Sequence, residues 1–216
     1  MNVILMMTAA SLLAPGQINT LDNGTIQVGT AAGVVEVQPM TADIFRITTL
    51  PEGVTESSAP TQAVTLQPES QVKAMTFTTP QWVKVITPTT IATVNRLTGR
   101  VTFTAADGTP LLSETTGVDN RGDLKRIAFS GADSGRLYGA GERGHKLSLN
   151  GDSLVMYNRQ NYSYGEGDPR LSQMGITVPW FVSDRGYGVL FDDYNMATLS
   201  LGGDSIVYSS ELSRIP

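Results

Sequence analysis

Apolar and polar residues alternate along most of this chain with a period of two. In Asp43-Ile44-Phe45-Arg46-Ile47-Thr48, Ile44 and Arg46 share one face and Phe45 and Ile47 the other. Over Gln81 to Thr87, Trp82, Lys84 and Ile86 stand opposite Val83 and Val85. Successive side chains of a strand point to opposite faces, so this alternation predicts half-buried strands. Similar stretches rich in Val, Ile and Thr predict strands over 25–28, 34–38, 72–78, 90–95, 100–104, 109–113, 124–130, 175–183, 187–191 and 205–209. Trp82 and Trp180 both fall in such strands, and a core position is expected for each.

Turn chemistry separates the strands. Asp22-Asn23-Gly24, Thr98-Gly99, Asp107-Gly108 and Arg185-Gly186 supply residues that tolerate the backbone of a tight hairpin. The clearest hairpin is Asp107-Gly108, between 100–104 and 109–113. No window of a dozen residues carries a 3.6-residue period, and 22 Gly with 11 Pro would interrupt long helices. The expected fold is therefore all-β, an antiparallel β-sandwich with few or no helices. The polar stretch 50–60 reads as a loop within one sheet system, since strands on either side belong to one core. The stretch 160–172, QNYSYGEGDPRLS, has little strand character. Long ordered loops on rigid sandwiches are frequent binding elements.

Composition narrows the function classes. With 15 Lys+Arg against 20 Asp+Glu, the chain has no positive field to gather phosphates, so nucleic acid is not an expected partner. The absence of Cys removes disulfides, thiolate metal sites and thiol nucleophiles, and is neutral about redox compartment. Val3 to Ala14 is an apolar run too short to span a bilayer, and no membrane span is expected. Its length suits the core of an export signal, although Met1-Asn2 supplies no cation and Leu12 occupies a place that favours a small residue. The reading is a possible signal remnant or extension over 1–16, followed by a single sandwich domain over 17–216. Export or a periplasmic location is expected, with a first strand and a cytoplasmic protein as the alternative.

Few residues offer chemistry. Tyr138-Gly139-Ala140-Gly141-Glu142-Arg143 lacks the third glycine and the following helix of a phosphate-binding loop. Its glycines permit a bend, and Glu142 can cap amides or pair with Arg143, so a structural role is expected. His145 is the only histidine, which removes paired-histidine proton shuttles and histidine-rich zinc sites. Asp192-Asp193 invites comparison with the two carboxylates of a glycosidase, held roughly 5–10 Å apart about one bond. Adjacent strand residues point to opposite faces, so a solvated or turn-capping role is expected instead.

Taken in order, Leu137-Tyr138-Gly139-Ala140-Gly141-Glu142-Arg143, Met156-Tyr157-Asn158-Arg159 and Val178 to Asp193 resemble the N-terminal domain of glycoside hydrolase family 31, which includes α-glucosidases and α-xylosidases. The resemblance implies a galactose-mutarotase-like supersandwich that packs on the enzyme's own catalytic barrel. It places the nucleophilic and acidic aspartates on that barrel, beyond Pro216, so no catalytic residue is expected in these 216 residues. It further implies that a loop opening at Asn158 and Arg159 reaches the sugar pocket, where an oligosaccharide or other α-glycoside is the substrate. Gln160 stands where α-glucosidases of this type carry an aspartate. An amide can still donate to and accept from a sugar hydroxyl, but it cannot supply a charge-assisted bond. Tyr162 and Asp168, further along the loop, complete the candidate substrate-binding set, and no cofactor or metal is expected. The lone histidine counts against a mutarotase. The competing reading is a free-standing carbohydrate-binding sandwich that stacks Trp180, Tyr157, Tyr162 or Tyr164 on sugar rings.

Overall fold

The computed structural model describes residues 13–51, 63–66, 68, 72–119, 124–158, 165, 168, 171 and 174–211. The body of the signal-like run, most of the 50–60 loop and the candidates Arg159, Gln160, Tyr162 and Tyr164 lie outside the described residues. The described chain forms sixteen strands and no α-helix. They are β1 (Ile18–Thr20), β2 (Ile26–Thr30), β3 (Gly33–Pro39), β4 (Phe45–Pro51), β5 (Met75–Thr78), β6 (Trp82–Ile86), β7 (Thr90–Asn95) and β8 (Val101–Ala105). The remainder are β9 (Pro110–Ser113), β10 (Leu124–Ser130), β11 (Leu137–Gly139), β12 (Ser153–Met156), β13 (Trp180–Ser183), β14 (Tyr187–Leu190), β15 (Ala197–Leu201) and β16 (Ser205–Glu211).

All pairings within the sheets are antiparallel. Two sheets, ordered β1-β2-β3-β4 and β5-β6-β7-β8-β9, bury Ile26, Val28, Val35 and Val37 against Val83, Val85, Ala92, Val94 and Val101. Two more, β10-β16-β15-β12 and β11-β13-β14, enclose a second core of Leu137, Phe181, Leu199, Leu201, Ile206 and Tyr208. Val83 and Val85 face inward from β6, as the alternation requires, because a two-residue period leaves one apolar row for the partner sheet. The Asp107-Gly108 hairpin forms as expected, with Gly108 at φ 90° and the Asp107 carboxylate accepting from the Thr109 amide.

Some expectations shift. The 175–183 strand is shorter, running from Trp180, because the chain bends at Pro179, where the Trp180 amide donates back to the Val178 carbonyl, and residues 176–179 contribute only scattered backbone bonds. The 72–78 strand begins at Met75. Four strands escape the sequence reading: β1, β11 and β12, which are only three or four residues long, and β15, whose Ala197, Leu199 and Leu201 alternate inward with Thr198 and Ser200. The tryptophans are the main correction. Trp82 and Trp180 are 36% and 39% exposed, on the outer faces of their sheets, while the adjacent Val83 and Phe181 hold the core positions.

Candidate functional site

The long loop of the sequence leaves β12 at Tyr157 and returns to the segment 176–179, and its two ends are built from different chemistry. At the outgoing end, the Asn158 side-chain oxygen accepts from the Thr177 amide at 2.6 Å and from the Thr177 hydroxyl at 3.1 Å. Thr177 is buried, whereas Ile176 and Val178 on either side are exposed. The candidate Asn158 is thereby a clamp on the loop's base. At the returning end, the carbonyl of Leu171 accepts from the Gly144 amide at 2.8 Å. The candidate Asp168 sits in a small turn of its own, its amide donating to the Gly165 carbonyl and its carbonyl accepting from the Leu171 amide.

Both ends rest on the glycine-containing motif after β11. Gly139, Ala140 and Gly141 have φ values of 114°, 60° and 89°, three consecutive residues in left-handed backbone. The sequence favours this because two of the three lack a Cβ. The path brings two chain segments into contact: the Ala140 amide donates to the Trp180 carbonyl and the Glu142 amide to the Ile176 carbonyl, both at 2.8 Å. A Cβ on Gly141 would lie 2.4 Å from the Ile176 oxygen, and one on Gly139 would lie 3.3 Å from the Trp180 indole nitrogen. Arg143 turns back to donate through Nε and Nη2 to the Ala140 carbonyl, at 3.1 and 2.8 Å. Partial burial lowers the pKa of its guanidinium, against the opposing pull of Asp152. The motif is thus a backbone joint that carries the segment on which Thr177 sits.

The remaining polar residues serve the same framework. His145 Nε2 stands 2.7 Å from Asp152 Oδ2, and Lys146 Nζ lies 2.8 Å from Asp152 Oδ1. Burial raises the pKa of the Asp152 carboxyl, yet the hydrogen bonds from Lys146 and His145 outweigh it and hold the group below the usual carboxylate range. Asp192 and Asp193 lie past the end of β14. Asp193 accepts from the Asn195 amide at 3.0 Å and Asp192 from the Tyr194 hydroxyl at 3.2 Å. Among the described residues no three His, Asp or Glu side chains converge in a metal-ligand group, and no helix is long and apolar enough to cross a membrane.

Two features were missed in the sequence. Thr177 is the buried partner of Asn158, and its signal is legible in retrospect: it is the one polar residue in an alternating row, Ile176-Thr177-Val178, that faces inward. The second is the outer face beside the motif, where Ile176, Val178, Trp180 and Leu190 are 61%, 37%, 39% and 47% exposed. Trp180 pairs directly with Leu190 across β13 and β14. Replacing Asn158 with alanine is expected to cost about 1–2 kcal/mol, since it strands the Thr177 donors. Amide exchange at Thr177 should rise at least tenfold while Asn158→Asp, which keeps an acceptor, remains near the native rate.

Residues 34–198 match the model of the glycosyl hydrolase 31 N-terminal galactose mutarotase-like domain. No protein in the curated set matches the chain. Among solved structures, a family 31 dextranase of Flavobacterium johnsoniae complexed with isomaltotriose superposes with a TM-score of 0.80 at 16% identity, over 93% of this chain and 25% of its own. The α-xylosidase of Xanthomonas citri gives 0.66 at 23% identity, over 84% of this chain and 20% of its own. The cycloalternan-forming enzyme of Listeria monocytogenes, in complex with a pentasaccharide substrate, gives 0.72 at 17%, over 93% and 19%. The chain therefore spans a quarter or less of each of these structures.

Proposed function

Because the chain belongs to the glycosyl hydrolase 31 N-terminal galactose mutarotase-like domain family, we propose that it works as the non-catalytic front domain of a retaining α-glycosidase. It packs on the catalytic barrel and lends the loop after Asn158 to the rim of the sugar pocket. In such an enzyme one barrel aspartate attacks the anomeric carbon and a second carboxylic acid protonates the leaving oxygen. The contribution of this domain is positional: Asn158 and Leu171 anchor the loop ends, and the Gly139–Gly141 joint sets the height of the segment beneath them. Export through the N-terminal apolar run belongs to the same reading.

The observation that carries the proposal is the pairing of two features at one place. The anchored loop base and the exposed Ile176, Val178 and Trp180 share the same segment, and Leu190 of β14 lies beside Trp180. Monomeric proteins seldom leave contiguous apolar rows uncovered, so this face suits a partner domain. Trp180 also favours a second reading, since an exposed indole is a platform for a pyranose ring.

Calorimetric titration of the chain with isomaltose, maltose and xylose, beside an assay on p-nitrophenyl α-glucoside and α-xyloside, separates the two. The proposal expects no turnover and no binding tighter than millimolar. Micromolar binding that Trp180→Ala abolishes would replace it with a sugar-binding module.

A further inference from the structure

Between the two cores the chain passes through one buried carboxylic acid. β9 pairs with β8 as far as Ser113, and at Glu114 it changes partner, bridging to Phe129 of β10. Glu114 is 4% exposed. Its amide donates to the Val101 carbonyl at 3.0 Å, but the Val101 amide is met by the Glu114 side-chain oxygen Oε2, at 2.9 Å, and not by a backbone carbonyl. The displaced Glu114 carbonyl accepts from Arg100 Nε at 3.1 Å. One residue on, the Thr115 amide donates to Ala128 of β10 at 2.8 Å. Val101 belongs to the first core and Phe129 to the second, so Glu114 stands where the two cores meet.

We propose that this joint is a proton-controlled hinge, closed while Glu114 is neutral and loosened when it ionises. The groups around the carboxyl support it. β8 offers the Val101 amide, the β7–β8 turn offers Arg100, and β10 pairs its backbone with Glu114 at Phe129. The cations of β10, Lys125 and Arg126, lie nearer its start, where Arg126 bridges through its backbone to Asp119. Arg100 is engaged at the carbonyl through Nε, and it is the one cation whose charge bears on the carboxylate. A neutral carboxyl still accepts from Val101 through its carbonyl oxygen, whereas an ionised one must be carried without water.

Burial drives the Glu114 pKa up to about 7, against the lowering effects of the Val101 amide and Arg100. An acid whose folded pKa lies above its unfolded value binds its proton more tightly when folded. Its stabilising contribution is therefore complete below the ordinary value of 4.5 and is lost as pH rises through about 7. A shift of that size corresponds to a change of roughly 300-fold in the equilibrium between closed and opened joint. The change runs between about 4.5 and 7 and levels off above, so acidification from neutrality tightens the joint while further alkalinisation adds little.

The test is amide hydrogen exchange on the intact 216-residue chain between pH 5.5 and 8.5, corrected for the intrinsic rate. Protection at Val101 and Thr115 should fall at least tenfold toward alkaline pH, while Val28, Val35 and Leu199 inside the two cores hold theirs. Glu114→Gln, which keeps the acceptor and removes the charge, should be flat across the range. A flat native profile overturns the hinge, and so does an equal loss at all five amides, which would be global unfolding. Should the variant fail to fold, the carbon-13 shift of the Glu114 carboxyl in the native chain is read beside the exchange profile: a carboxyl midpoint that coincides with the loss of protection at Val101 and Thr115 upholds the proposal, and one that does not coincide with it overturns it. Neither result depends on the glycosidase reading.

Discussion

Gly141→Ala is expected to destabilise the domain by about 4 kcal/mol, combining left-handed backbone strain of about 1–3 kcal/mol with a similar cost of overpacking. At φ 89° an alanine is strained wherever it stands, and here its Cβ would also lie 2.4 Å from the Ile176 carbonyl oxygen and 2.8 Å from Thr177 Cα. Neither contact is with a flexible side-chain end, so relief requires moving the 176–178 segment and with it the Thr177 clamp on Asn158. Gly151 separates the two contributions: its φ is 87°, yet nothing lies within 4 Å of its would-be Cβ. Gly151→Ala should therefore lose only about 1–2 kcal/mol of backbone strain. Urea unfolding of both variants checks the comparison. Equal losses would mean that Gly141 is a turn glycine only, with no part in joining the two segments.

Phe181→Ala is the second large effect, an expected loss of about 3–5 kcal/mol. Phe181 is fully buried on β13, with its ring centroid 6.3 Å from those of Tyr187, edge-on at 83°, and Phe191. Phe191 in turn stacks on Tyr208 at 4.0 Å. Removing the ring leaves a cavity between sheets whose strands are paired on both sides of β13, so collapse around it is limited. Phe181→Leu, which fills part of the space, should lose less than half as much in the same denaturation experiment. A loss below about 1 kcal/mol for the alanine variant would remove Phe181 from the centre of this core.

These two sites also mark what could be read without coordinates. Phe181 was visible as a member of an alternating strand, and Gly141 as a member of a motif whose glycines imply a bend. Which row of that strand faced inward was not visible. Trp180-Phe181-Val182 has apolar residues on both faces, and membership of a half-buried strand alone led to the indole being read as core. The partner sheet covers the face of Phe181 and Ser183, leaving Trp180 beside Leu190 on the outside. The same holds at Trp82, whose neighbours Val83 and Val85 take the interior. At the loop, Asn158 was legible as a candidate because of its place in a motif, but its acceptor role toward Thr177 joins residues 19 apart along the chain.

By itself the sequence determined the class and punctuation of the fold. Two-residue alternation, β-branched content and hairpin chemistry such as Asp107-Gly108 act over a few residues, and they specify strands and turns wherever they occur. The family followed from the order of its motifs, which is likewise written along the chain. Only the tertiary structure decided which strand faces are covered, that Ala140 accepts left-handed backbone while fully buried, and that Glu114 is buried between two cores. The reason is physical. Burial, close approach of backbones and the desolvation of a carboxyl depend on what lies opposite, and a residue's neighbours in space are supplied by segments far away in sequence.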